Sequence, residues 1–419
     1  MRNAGQWLRR VAHDRKGSVV SMTALMMPVL IGAAGMASDT IQWTLTKRMM
    51  QRAADSGALA GAYALSQAGT PGPAVSQAAM ADITRNRGFK MTINPVISSP
   101  ATSGSFRDAA SAVEVTLATD LELPFTGLVL DGPVRISARA VAEIVGNGDY
   151  CVLALENTNT SGIPIGGNAT VNLGCGMMSN APSSSSIIAN GSSYVTASPV
   201  AAVGNVPPGN YAPGTVRQSF ALPLRDPYRG LPDPPNIPSS SNDLRVQPNR
   251  SSTFNAGTYR NIDVSGAATV NPGIYYVTGS VNFGSQSRVS SNGAVFILTA
   301  TNAASNTGNI ATVRMNGGAR INMTAPSTGT YAGILFYQDR RASSMSTNIV
   351  NGNSSSLLQG AFYFPRQELQ FNGTSGMDTR CIQVVARRID WRGNSTIENV
   401  CPPASGASSF KGTQIKLVA

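Results

Sequence analysis

A chain of 419 residues with 13% charged residues, 42 glycines and 25 prolines has the composition of turns and strands, and room for about two or three domains. Its 42% of apolar residues is enough to bury a core, which excludes a disordered chain. The net charge of +11 does not indicate nucleic acid: no long basic run lies outside the N-terminus and no nucleic-acid motif stands among the scattered arginines, so a basic but ordinary surface is expected.

Residues 1–16 carry Arg2, Arg9, Arg10, Arg15 and Lys16 against Asp14, and the 21 residues from Ser18 to Ser38 are uncharged. As a helix rising about 1.5 Å per residue, that run crosses a hydrocarbon core about 30 Å thick. Positive charge ahead of the span keeps residues 1–16 cytoplasmic and sends the remainder across. A cleavable signal peptide is the rival reading, because Gly35-Met36-Ala37 has the small-x-small form of a cleavage site. The span is longer than a usual signal core, and Trp43, Lys47 and Arg48 follow at interfacial depth, so an uncut anchor is expected. Pro28 should only kink the span, since hydroxyls and neighbouring helices can satisfy the freed carbonyl.

Residues 44–67 contain strong helix formers and no proline, with Leu45, Met49 and Ala53 at helical spacing. One helix of about 50 residues, membrane-buried and then emergent, is predicted. Ala53, Ala54, Gly57, Ala58, Ala60 and Gly61 would leave a shallow face for another helix. Asp39 stands at the outer edge of the span, where a carboxylate can stay hydrated or meet a partner's basic group. With Asp55, these are the expected assembly residues.

The run from Asp14 to Ala62 combines a basic tail ending in Gly17, Pro28 in mid-span, Asp39, and Gln51-Arg52-Ala53-Ala54-Asp55 leading to Ala58-Leu59-Ala60-Gly61-Ala62. It resembles the N-terminal segment of Tad (tight adherence) Flp pilus-assembly proteins of the TadE/TadG-like kind. The resemblance implies a single-pass protein of the bacterial inner membrane, its body periplasmic or surface-reaching, with other Tad membrane components and the lipid bilayer as partners. Two features depart from the pattern. Met22 stands where prepilin-like proteins carry Glu, five residues after the cleaved glycine, so processing after Gly17 is not expected. Asp263-Val264-Ser265-Gly266-Ala267 lacks the second serine of the Asp-x-Ser-x-Ser metal site found in relatives with a von Willebrand A domain, so no metal is expected.

Residues 68–147 read as a small α+β, pilin-like region. Val113, Val115 and Leu117, then Val134, Ile136 and Ala138, alternate with polar residues as half-buried strands do. From residue 148 to 419 the pattern is short apolar runs between tight turns such as Gly166-Gly167-Asn168, Asn190-Gly191, Asn292-Gly293 and Gly393-Asn394. The segments GNATVNL at 167, GAATVNP at 266, GGARINM at 317 and GNSTIEN at 393 are loose copies of one turn into a strand. An irregular parallel β-helix, or solenoid, is favoured over a sandwich. The ten prolines of 199–238 read as a surface excursion or linker that separates early coils from the main body. The whole chain is therefore α+β and mostly β.

Cys151, Cys175, Cys381 and Cys401 form two local pairs spaced by 24 and 20 residues. Three pairings exist in principle, and in an oxidising periplasm the local disulfides are the simplest. Zinc would need close Cys spacing or histidines, and neither is present. The single histidine, His13, lies in the tail, which removes histidine-dependent catalysis from the exported body. No phosphate-binding or dinucleotide loop appears, so no cofactor is expected. The β-helix fold hosts polysaccharide lyases and glycosidases, but the acids Asp226, Asp233, Asp243, Asp263, Asp339, Glu368, Asp378, Asp390 and Glu398 are thinly spread. Arg340-Arg341 and Arg387-Arg388 with Asp390 are the best candidates for contact with a surface polysaccharide, ion pairing being the simpler account. The sequence thus predicts a non-enzymatic, membrane-anchored pilus-assembly or attachment protein. A carbohydrate-active envelope enzyme and a secreted β-solenoid adhesin are the alternatives.

Overall fold

The computed structural model describes residues 18–128, 131–238, 242–343, 346–351, 356–373, 377–379, 382–393, 396–399 and 410–419. The chain divides into two units, Met1–Val145 with Ile415–Ala419, and Gly146–Gln414. It leaves the first within the strand Val134–Ala154 and re-enters it within Phe410–Leu417.

In the first unit a single helix, α1, runs from Ser18 to Ala68 through Pro28. It stops at Gly69, whose positive φ of 80° lets its N–H reach back to Leu65 O at 2.7 Å. The two halves of α1 have opposite surroundings. Val19, Leu25, Val29, Leu30 and Ile31 are exposed, whereas Met50, Ala53, Ala54, Ala58, Ala62 and Leu65 are buried. A second helix, α2, spans Pro73–Asn86 and begins on a proline, which needs no hydrogen bond in the first turn. Its buried residues Val75, Ala79 and Ile83 repeat every four positions and pack on the small-residue side of α1.

The helices are completed by an antiparallel sheet. Val96–Ser98 pairs with Ala112–Leu121, which pairs with Val134–Ala154, as in Val113 opposite Ala142 and Leu117 opposite Ala138. The alternating residues Val113, Val115, Leu117, Ile136 and Ala138 all enter the core with α1 and α2. The two strands expected from alternation are therefore present, and their apolar sides face the helices.

The second unit is largely β and its ladder pairs are parallel. Successive coils supply strands to common ladders: Gly273–Phe283 and Arg288–Asn292 are followed by Ala294–Leu298, Thr312–Met315 and Arg320–Thr324. The four copies of the turn motif become Thr170–Asn172, Ala267–Val270, Arg320–Thr324 and Thr396–Asn399, all in one ladder system. The glycines at these corners are dictated by geometry. Gly167 has φ of 67°, and a Cβ added there would lie 3.1 Å from the backbone N of Gly393 on the neighbouring coil.

The coils do not stack in chain order. Tyr150–Ala154 pairs with Gly176–Ser179 on one side and, in the register Val152 to Val384 and Ala154 to Ala386, with Ile382–Gly393 on the other. From that seam the chain winds outward through Gly176–Ser179 and Val200–Ala202 to Arg217–Gln218. The opposite end begins at Leu244–Val246 and winds back through 257–373 to the seam. The expected separation of early coils from a main body at 199–238 is thus corrected: both lie in one ladder, joined through the first and last coils. Every coil carries similar hydrophobic runs, so periodicity alone does not encode which neighbours which.

The core is layered by coil. Rings of Tyr275, Phe296, Phe336 and Phe362 stack with centroid separations of 5.3, 5.2 and 5.3 Å, one ring per coil. Trp391 stacks on Phe371 at 5.8 Å. A disulfide joins Cys151 and Cys175, whose Cα atoms are 5.9 Å apart, as expected. Cys381 and Cys401 lie outside the described residues.

The proline-rich segment is a strap. Ala221, Leu224, Tyr228 and Leu231 cover an outer apolar face formed by Ile297, Tyr337, Tyr363 and Val385. Its attachments advance steadily along the ladder. Ala221 N–H donates to Ala202 O, Leu224 exchanges two bonds with Asn180, Tyr228 bonds Gln383, and Ile237 bridges Thr301. Prolines suit this role because they hold an extended backbone and lack donors that would need partners.

Candidate functional site

The expected assembly residues lie along α1. Asp39 is only 2% exposed, and its Oδ2 accepts from the backbone N–H of Phe125 at 2.9 Å and of Thr126 at 2.5 Å, and from Thr126 Oγ1 at 2.8 Å. The Phe125 ring covers Gly35, where an added Cβ would lie 2.1 Å from Cδ1 of the ring. The hydrated or partner-facing carboxylate expected at Asp39 is therefore corrected. Its reachable donors belong to the chain's own loop.

Ala53, Ala54 and Ala58 are fully buried inside the first unit. A Cβ on Gly57 would meet Ile83 Cγ1 at 2.6 Å, and one on Gly61 would meet Val113 Cγ1 at 2.9 Å. The shallow face does receive a closely packed helix, as the small residues imply, but that helix is α2 of the same chain. Asp55 accepts from Gln51 Nε2 at 2.8 Å, and the same amide group donates to Arg139 O at 2.9 Å. Ser56 and Asn86 both reach Asp82, tying α1 to α2. Phe125 and Thr126 were not legible as partners of Asp39. The signal was the apolar run around Leu121, Leu123 and Phe125, which is too rich for a solvated turn.

Glu114 anchors the other end of the sheet. Its carboxylate accepts from Thr102 N at 2.7 Å, Ser103 N at 3.0 Å and Arg139 Nε at 2.5 Å. Burial alone would raise its pKa, but the bonds from Ser103, Arg139 and Thr102 outweigh that and bring it down to about 2.

The arginines expected to touch a saccharide have internal partners. Arg340 donates to Tyr363 Oη at 2.7 Å, to Leu231 O at 2.7 Å and to Tyr228 O, which holds the strap in place. Arg341 forms a two-pronged pair with Asp339, 2.8 and 2.6 Å, and reaches Pro234 O. Arg388 bonds Glu368 at 2.9 Å, Arg387 lies 3.3 Å from Glu156, and Asp390 pairs with Arg392 at 2.6 Å. Burial pushes the hydroxyls of Tyr363 and Tyr228 above the ordinary tyrosine range. Ion pairing is the account that fits these residues.

A groove of about 560 Å³ on the outer surface of the ladder is lined by Asn249, Arg250, Ser251, Gln286, Arg288 and Arg320 among others, and among the described residues by no carboxylate. Among the described residues no group of three or more His, Cys, Asp or Glu side chains is placed to hold a metal ion.

The long helix α1 is bare and apolar in its first half and packed into an α+β unit in its second. Residues 17–64 match the Tad family model, described as putative Flp pilus-assembly TadE/G-like. The chain thus carries a Tad segment, and that segment is α1 almost to its end. No curated protein and no solved structure matches the chain.

Proposed function

We propose that this chain is a non-enzymatic, membrane-anchored component of Tad/Flp-type pilus assembly. In this reading α1 crosses the bacterial inner membrane once with residues 1–16 in the cytoplasm, and everything after about Trp43 stands outside. The second unit is a parallel β-helix whose strap-covered stack forms a stiff exported body for pilus biogenesis or surface attachment, with other Tad membrane components as partners. The observation that carries the reading is the change of surroundings along one helix within the Tad segment: exposed apolar residues from Val19 to Met36, with Ile41, Trp43 and Leu45 exposed beyond Asp39, then a buried small-residue face from Met50. An exposed apolar run of that length has no place in water and suits lipid.

The experiment is deletion of the chain in a cell that builds a Tad pilus, with surface pili counted and crosslinked membranes searched for its neighbours. Loss of pili or of attachment, restored by the full chain, is expected, as is crosslinking to other Tad proteins. Normal piliation and attachment without the chain would refute the reading.

A further inference from the structure

The loop Leu123–Gly127 is held against α1 at a height where the bilayer should be. Taking α1 as the membrane span, the 21 uncharged residues Ser18–Ser38 just fill a hydrocarbon core of about 30 Å. The register has little slack: sliding α1 outward draws Arg15 and Lys16 into lipid, and sliding it inward submerges Asp39. Gly35 precedes Asp39 by four residues, about 6 Å along the axis. Phe125, whose ring lies on Gly35, is therefore below the level of the first charge.

The loop's polar groups are arranged for such a place. Backbone donors at membrane depth need internal partners, because no water replaces them. Pro124 has no N–H, Phe125 and Thr126 give theirs to Asp39 Oδ2, the Thr126 hydroxyl does the same, and Gly127 N–H donates to Leu123 O at 2.8 Å. Asp39 has no cation among its bonded partners, and three donors from one loop converge on it.

We propose that Leu123–Gly127 is a second membrane-contacting element, inserted beside α1 at the outer boundary of the bilayer, with Asp39 acting as its internal cap. It rests on the membrane-spanning reading of α1. The partner is the acyl region next to the headgroups, which meets the exposed Pro124 and the half-buried Phe125, while Leu123 stays buried within the unit. A stem held at two points resists rotation and tilt, as one helix in fluid lipid does not.

The test uses the full chain in liposomes containing a phospholipid with a diazirine on an acyl carbon near the glycerol, followed by peptide mapping of the photoadducts. Adducts are expected on α1 between Val19 and Met36 and on Leu123–Gly127, with background only on the strand Val96–Ser98, of which Val96 is exposed. Adducts on α1 but none on the loop overturn the inference and leave the span intact. Absence of adducts on α1 overturns the span itself. With Asp39→Ala the loop adducts should fall to the Val96–Ser98 level while those on α1 persist. Unchanged loop adducts in that variant would overturn the capping role.

Discussion

The packing of α1 on α2 can be tested as an energetic coupling. A methyl added at position 57 would enter the space of Ile83, 2.6 Å from Cγ1 and 2.9 Å from Cδ1, distances at which something must move. Gly57→Ala gains about 1 kcal/mol of helix propensity but adds an overpacking cost of about 1–3 kcal/mol, so it should be neutral to destabilising. Ile83→Ala empties a fully buried site and should cost about 2–5 kcal/mol. In the double variant the new methyl occupies part of the emptied volume, so the loss should be smaller than the sum by about 1–3 kcal/mol. The assay is denaturant unfolding of the full chain in detergent, followed through hydrogen exchange of α2 so that the first unit is read separately. Additivity within about 0.5 kcal/mol would show that the two sites do not touch, and would reopen the glycine face as a surface for another protein.

Three further outcomes follow from the described contacts. Glu114 has a folded pKa of about 2 against an ordinary 4.5, so its contribution, on the order of 2 kcal/mol after screening, is present above pH 4.5 and lost as pH falls toward 2; Glu114→Gln should flatten acid unfolding of the first unit in that window, and an unchanged profile would remove the carboxylate from the account. Arg340→Ala leaves the carbonyls of Leu231 and Tyr228 without their donor and should raise hydrogen exchange across 221–238 while the ladder stays protected, at a cost of about 2–4 kcal/mol; unchanged exchange there would mean the strap is held without this residue. A reporter active only in the periplasm, fused after Gln67, should be active, and inactivity would reverse the orientation assigned to α1.

Local features were readable from sequence because their causes are local. The uncharged run ending at Ser38, the alternation through Val113 and Val115, and the Gly-Asn corners at 167 and 393 each reflect a constraint within a few residues. The Cys151–Cys175 bridge was readable for the same reason, being a neighbour-coil contact. What escaped were meetings between distant segments. Ala53 and Ala58 indicate that a helix packs closely, but nothing in them says that the helix is Pro73–Asn86 of the same chain. Asp39 looked like a surface charge because its partners, Phe125 and Thr126, lie 86 and 87 residues away. Prolines in 223–238 look alike in a linker and in a strap. The difference lies in Tyr337, Tyr363 and Arg340, which receive them.

The order of coils has a consequence for how the body forms. Helix packing and most ladder steps join segments close in sequence, but the seam joins Val152 to Val384 and Leu153 to Val385, more than 200 residues apart. Closing so long a loop is entropically costly, and such contacts come late in folding. Until then the strands Val134–Ala154 and Ile382–Gly393 each present an unpaired parallel edge beside buried apolar residues such as Val384, Val385 and Ala386. Coils at both ends of the ladder can form first, but neither half is complete alone. The strap reinforces the join because it spans it, bonding Asn180 on one side and Gln383 and Tyr363 on the other. A chain ending before Ile382 should therefore keep protected amides in 273–373, lose protection in 150–172 and self-associate through the exposed edge. Hydrogen exchange and sedimentation of the truncated and full chains would decide this. If 150–172 stayed fully protected in a monomeric truncated chain, the first coils would be complete by themselves, and the seam would not be what unites the body.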